Sequence, residues 1–323
     1  MRQPESLKDC LIARTEIEAM DLEPLKSGLV AVTGIGASYA AAVVVAGELQ
    51  RRGRRAFPTR PVDMMNGGDF ADVILALSHR GRSVETVQAL QSHPNATKLA
   101  ITKDAESPLA EAAGRHLRIE NGSDATPSST GYTGTLLVAG ILLEKLCGPT
   151  PTDWDAIPGL AADVLSRSAE KMRRIGKLFE GRRAIDCVGA GSALGTAEGA
   201  TLLIREAARI PTGPADTRHY LHGPMESMDK TTGVVVFGDG REVQMVRQLQ
   251  EIGCPVVLVT ANPQIEDGEI LTVLKVPQLE NRIARGILDI LSAQLLAAEL
   301  SDAAGLTDTK FRYPQTDTKI KAA

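Results

Sequence analysis

The chain has 323 residues, with 36 Lys and Arg against 40 Asp and Glu and a formal net charge of -4; at about 150 residues per domain, that length fits two domains. Hydrophobic residues at 43% and charged residues at 24% describe an ordinary globular chain and argue against disordered, collagen-like and coiled-coil classes. Aromatics at 3% supply few platforms for stacking bases, and the negative balance gives no basic field for a polyanion, so small molecules or other copies of the chain are expected as partners rather than nucleic acid.

In chain order, "MRQPESLKDC" carries no apolar core of a leader. "GLVAVTGIG" (28–36) then reads as a strand ending in glycines, and the alanine-rich "SYAAAVVVAGELQRRG" has helical length. "ADVILALS" (71–78), "VETVQALQS" (84–92) and "KLAIT" (98–102) continue as strand, helix and strand. Strands without period-2 alternation, separated by helices, predict βαβ units and a parallel sheet covered on both faces. The pattern then returns. "RAIDCVGAGSALGTAEGATLLIREAA" (183–208) repeats the strand, glycine turn and helix of the first unit, with Gly191 in the place of Gly36. "TGVVVFGDGREVQMVRQLQEIG" and "PVVLVTAN" mirror 71–92 and 98–104. This is the mark of a duplication, with a seam near "CGPTPTDWDAIPG" and a helical connector after it. The polar stretch from Ser301 reads as a tail. No apolar run is long enough to span a bilayer, and four scattered cysteines read as free buried thiols, so a cytoplasmic protein without a membrane partner is expected.

Three stretches carry chemistry. The turn "SHRGRS" (78–83) follows a buried strand, where strand-to-helix turns expose backbone N–H groups that favour an anion. Ser78 and Ser83 add hydroxyl donors and Arg80 or Arg82 add charge, although Ser83 as a plain N-cap needs no ligand. "GIGASYA" (34–40) lacks the third glycine of a dinucleotide fingerprint, and "NGSDATPSSTGYTG" (121–134) is a loop rich in hydroxyls. Five dispersed histidines form no metal-ligand spacing.

Taken together, "GIGASYA", "SHRGRSVET" and "TPSSTGYTG", followed by "EGATLLIREAARIPTGPADTRHYLHGP" (198–224), resemble the double SIS-domain (sugar isomerase domain) proteins over nearly the whole chain. That family comprises the isomerase part of glucosamine-fructose-6-phosphate aminotransferases and stand-alone phosphosugar isomerases and deaminases. The resemblance implies an α/β fold of two tandem SIS domains, each a mostly parallel five-stranded sheet flanked by helices in a flavodoxin-like three-layer sandwich. The expected divisions are residues 1–155 for the first domain, 156–300 for the second and 301–323 for a tail that closes over the active site. It places sugar-phosphate contacts at Ser38, Ser78, Ser83 and Ser129, with backbone groups around Gly36, Gly81 and Pro127 and a tail arginine, Arg312. Arg80 departs from the family loop, standing where a serine is usual, and Ala37 stands where relatives often have threonine. The second copy offers Asp239 at the equivalent turn, which would repel phosphate, so one half is expected to hold the anion.

Glu206 and His222 match the family's base and ring-opening histidine. A carboxylate can move a proton between C2 and C1, and an imidazole can relay protons at the ring oxygen. The plainer reading of Glu206 is pairing with Arg205 or Arg209. The tail lysine that forms a Schiff base or stabilises negative charge falls on Lys319, with Lys321 the competing position. Leu203 departs from a lysine of the aminotransferases. With only Cys10 before the first strand, free ammonia release is expected rather than glutamine use. The expected function is conversion of glucosamine 6-phosphate to fructose 6-phosphate and ammonia, without metal or cofactor, in a homodimer. The alternatives are a ketose/aldose isomerase or deglycase on another hexose 6-phosphate derivative, and a non-catalytic sugar-phosphate-binding regulator.

Overall fold

In the computed structural model, which describes residues 2–306 and 311–321, the chain divides into two compact units. Unit 1 comprises Met1–Pro158, Glu280–Ala284 and Phe311–Ala323; unit 2 comprises Gly159–Leu279 and Arg285–Lys310. Residues 307–310 and 322–323 of the expected tail lie outside the described residues.

Unit 1 opens with two helices that the sequence pattern did not suggest, α1 (Gln3–Cys10) and α2 (Ala13–Ala19). They bury Leu7, Cys10 and Ile17 and lead to β1 (Val30–Thr33). There follow α3 (Ala37–Arg51), β2 (Ala56–Thr59), α4 (Pro61–Asn66), β3 (Val73–Leu77) and α5 (Val84–Gln91). The unit continues with β4 (Thr97–Thr102), α6 (Pro108–Ala113), β5 (His116–Arg118) and α7 (Thr130–Cys147). The sheet order is β2-β1-β3-β4-β5, with parallel pairing throughout; Val30 faces Val73 and Leu75 faces Leu99 in register. Every residue of β1 and β3 is buried, as helices on both faces require, and each buried Ile or Leu such as Ile74 or Leu77 contributes about 1.5–3 kcal/mol.

Two glycines shape the carboxyl ends of these strands. Gly36 caps α3 at φ 61°, ψ -130°, a backbone region essentially closed to residues with a Cβ. Gly81 has φ +63°, and a Cβ on it would stand 2.1 Å from Ser107 Oγ. Both therefore hold turns that a larger residue could not adopt.

Unit 2 takes in α8 (Ile157–Phe179) from Gly159 onward, then β6 (Ala184–Gly189), α9 (Ser192–Ala208), β7 (Thr212–Ala215) and the short α10 (Thr217–Tyr220). It continues with β8 (Thr232–Phe237), α11 (Arg241–Glu251), β9 (Val256–Thr260) and β10 (Leu271–Lys275), and most of α12 (Arg282–Ala303) belongs to it. Its order, β10-β9-β8-β6-β7, is that of unit 1 read from the other edge. Gly191 caps α9 at φ 59°, ψ -125°, almost the conformation of Gly36. No helix among the described residues is long and apolar enough to cross a membrane.

Candidate active site

The turn after β3 builds one wall of a cavity of about 320 Å³ in unit 1. Ser78 stays tied to the sheet, its N–H donating to Ile101 O at 3.2 Å, and Gly81 N–H donates back to Ser78 O at 3.0 Å. The chain thus folds tightly and presents residues 78–83 at the strand end. Ser83 stands at the N-cap of α5, yet its side chain makes no capping hydrogen bond. Lys319 Nζ donates to Ser83 Oγ instead, at 2.8 Å. The plain-cap reading of Ser83 is thereby removed.

Ser38, Ser78, Arg80, Ser83 and Lys319 all line this cavity, brought together from α3, the β3–α5 turn and the tail. Ala37 and Ile35 flank Gly36 and line it as well, and Arg80 and Arg82 flank Gly81. Ser78 and Ser83 are buried, while Arg80 is exposed and makes no hydrogen bond or ion pair among the described residues. Burial, joined by the positive charge of Arg80, draws the Lys319 ammonium below its usual pKa, and the Glu85 carboxylate opposes the shift. Lys321 does not line the cavity; its carbonyl accepts from Arg82 Nη1 at 3.2 Å. Arg312 is exposed and outside the lining, although the neighbouring Phe311 is in it.

Ser129 is also outside the lining, for a reason the sequence did not disclose. Asp124 Oδ1 accepts from the backbone N–H groups of Ser129 and Thr130, both at 2.9 Å, and from both their hydroxyls at 3.2 and 3.1 Å. Asp124 Oδ2 accepts from Gly131 N–H at 3.0 Å and Ser128 Oγ at 2.6 Å. A carboxylate of the chain itself thus takes the exposed donors at the start of α7, and these bonds hold its pKa below the usual range against the opposing cost of burial. His79, also in the lining, has Nδ1 3.8 Å from Asp124 and Nε2 3.1 Å from Asn121 Oδ1. Burial lowers its pKa, which favours a neutral ring. The sequence signal for Asp124 was only an acidic residue six positions before the first residue of the helix, outside the usual capping spacing.

Glu206 and His222 lie in unit 2. Glu206 sits in the last turn of α9, half-buried and without an ion pair or hydrogen bond among the described residues. Arg205 is turned away, donating from Nη1 to Thr212 O at 3.0 Å. Burial alone raises the Glu206 pKa from 4.5 to about 7, the range in which a carboxylate can both take and return a proton near neutrality. His222 is exposed in the turn after α10. That turn is anchored from below: Thr217 Oγ1 donates to Glu242 Oε1 at 2.7 Å and Tyr220 OH to Asp186 Oδ2 at 3.0 Å. His219, also exposed, donates its backbone N–H to Asp216 Oδ1 at 3.1 Å, part of the cap of α10. Among the described residues no group of three His, Cys, Asp or Glu side chains is placed to hold a metal ion.

Residues 25–145, which contain the first sheet of order β2-β1-β3-β4-β5, match the family model of the SIS domain. Over 324 residues, 96% of this chain, the sequence is 24% identical to a glutamine–fructose-6-phosphate aminotransferase (isomerizing) of Sulfolobus acidocaldarius. The chain spans only about half of that relative, 54% of its length. Two solved structures share the fold: the C-terminal domain of glucosamine-fructose-6-phosphate aminotransferase from Francisella tularensis and a glucosamine-6-phosphate deaminase from Thermotoga maritima. The first has a TM-score of 0.82 at 16% identity, covering 94% of each chain. The second has a TM-score of 0.78 at 18% identity, covering 98% of each.

Proposed function

We propose that the protein is a phosphosugar isomerase of the deaminating kind, converting glucosamine 6-phosphate and water to fructose 6-phosphate and ammonia. The observation that carries this reading is the convergence of Ser38, Ser78, Ser83, Arg80 and Lys319 on one cavity at the carboxyl edge of the first sheet. Three hydroxyls, helix starts and cations make a cradle for a phosphate ester. In this reading unit 2 is a second SIS domain, and it supplies the proton chemistry. His222 opens the ring by moving a proton from the anomeric hydroxyl to the ring oxygen. Glu206 takes the C2 proton of the open aldehyde, leaving an enolamine, and returns it to C1. The resulting C2 imine adds water and expels ammonia. The half-buried carboxylate, with no partner among the described residues and a pKa near 7, suits that return step. The exposed His222 turn suits a homodimer in which the turn meets a second copy.

A panel of hexosamine and ketose 6-phosphates, without glutamine and monitored for ammonia and ketose, tests the reading. Glucosamine 6-phosphate should yield both products in equal amounts, and Glu206→Gln should lose solvent-deuterium exchange at C2 while still binding inorganic phosphate. Ketose without ammonia would make the enzyme a plain ketose/aldose isomerase, and binding without any turnover would make it a regulator. Sedimentation equilibrium reads the assembly, and a monomer at micromolar concentration would remove the homodimer.

A further inference from the structure

The two arginines of the β3–α5 turn do different things. Arg80, on the cavity wall, has no hydrogen bond or ion pair among the described residues, whereas Arg82 faces the tail. Arg82 Nη1 donates to Lys321 O at 3.2 Å, and its Nη2 lies 3.6 Å from Asp104. The backbone of residues 318–320 runs antiparallel to residues 82–84. Ile320 N–H donates to Arg82 O at 2.9 Å, Val84 N–H donates to Thr318 O at 3.3 Å, and Ser83 and Lys319 form the bridge between them. Ile320 packs against the apolar cluster that includes Ile74, Val87 and Leu90.

Successive side chains in a paired segment point to opposite faces, so an inward Ile320 obliges Lys319 to face the other way, into the cavity. A slip of one residue would put the lysine in the apolar cluster, so the register is specified by burial as well as by the bridge. The Ser83 hydroxyl accepts from Lys319 Nζ, which leaves its own proton to donate to a ligand oxygen. Two further protons of the ammonium point from the same place.

We propose that residues 318–321 are a built edge of the anion cradle, in which Lys319 acts with Ser83 on the ligand's phosphate rather than on the sugar carbonyl, and Arg82 is the positioning residue that holds that edge in register. This rests on the reading of the cavity as a phosphate-ester site.

Calorimetric titration of inorganic phosphate into the full chain and its variants tests it. Lys319→Gln should weaken phosphate binding roughly ten- to a hundredfold, the loss expected for a charge-assisted hydrogen bond. Arg82→Gln should weaken it severalfold and Arg82→Lys should recover part of that, whereas a merely structural Arg82 would lower Tm and leave phosphate affinity alone. With a sugar phosphate that is turned over, Lys319→Gln should raise KM by the factor lost in phosphate affinity while kcat changes less than about tenfold. Borohydride added with that substrate should leave the mass of the wild-type chain unchanged. Unaltered phosphate affinity in Lys319→Gln, a reduced sugar adduct on Lys319, or no phosphate binding by the wild type would each overturn the proposal. The affinity pattern without turnover of any phosphosugar would sink the proposed activity and leave this assignment standing; turnover with unaltered phosphate affinity in Lys319→Gln would do the reverse.

Discussion

β3 and β8 hold the same place in their sheets, each the third strand in chain order and each paired to the first and fourth, yet the turns that follow them end in opposite chemistry. After β3, the main-chain oxygen of His79 accepts from Lys103 N–H at 2.8 Å, and the side chains around it face a cavity. After β8, the corresponding residue is Asp239, whose side chain does the linking. Its Oδ1 accepts from Ala261 N–H at 2.6 Å and Thr260 Oγ1 at 2.7 Å, and its Oδ2 accepts from Arg285 Nη1 at 2.8 Å. Arg285 is buried and pairs with Asp289 as well, its Nε donating to Asp289 Oδ1 at 2.7 Å. The first turn therefore faces a cavity, whereas the second is sealed by Asp239, whose carboxylate takes donors from Thr260, Ala261 and Arg285. The same backbone plan thus carries a cavity in one unit and a closed ionic network in the other.

Substitutions in the two units test the contrast. The largest effect belongs to the sealed turn. Arg285→Met removes the cation shared by Asp239 and Asp289 and should cost ~3–5 kcal/mol in urea denaturation; a loss under about 1 kcal/mol would mean the network is dispensable. Ser78→Asp imports the second unit's charge into the first, burying a carboxylate beside the proposed anion. Inorganic phosphate affinity should fall by about two orders of magnitude, and retained affinity would place the anion elsewhere.

A graded pair of glycine variants comes next. Gly81→Ala meets both a positive φ and Ser107, whereas Gly191→Ala meets positive φ with open space around it. The first should lose roughly 2–4 kcal/mol and the second roughly 1–3, and equal losses would show that the contact with Ser107 relaxes freely. The smallest effect concerns Glu206. Its folded-state pKa of about 7 lies above its ordinary 4.5, so the folded chain holds this proton more tightly than the unfolded one. The linked stabilisation is complete below pH 4.5 and is lost as pH rises through 7. Glu206→Gln should therefore match the wild-type Tm near pH 4.5 and exceed it by at most a few degrees at pH 8, and a flat difference across that window would contradict the raised pKa.

Much of this architecture was legible in the residues. Fully buried strands such as Val73–Leu77 and Val256–Thr260 announce themselves as short apolar runs bounded by turn-forming residues. The strands that escaped notice are edge or near-edge elements with weak pattern: β2 reads AFPT and β7 reads TGPA, each carrying a proline that only an edge strand tolerates. At the cavity, Ser38, Ser78 and Ser83 were visible because they follow strands in the chain. The roles of Arg82 and Asp124 were not, because each depends on a partner that only folding brings near: Lys321 lies 239 positions from Arg82, and Asp124 reaches α7 by closing a loop rather than through a capping box. Spacing favoured Lys319 but separated it poorly from Lys321; in the structure it is Lys319 that bridges to Ser83 and lines the cavity.

Unit 1 is not finished when its first 158 residues are made, since it also contains Phe311 and the residues that follow it. The ribosome must add the whole of unit 2 before Lys319 can reach Ser83, a delay of roughly ten to thirty seconds at ordinary elongation rates. A nascent first sheet can thus fold around β1, β3 and β4 early, while its cavity lacks one wall until late in synthesis.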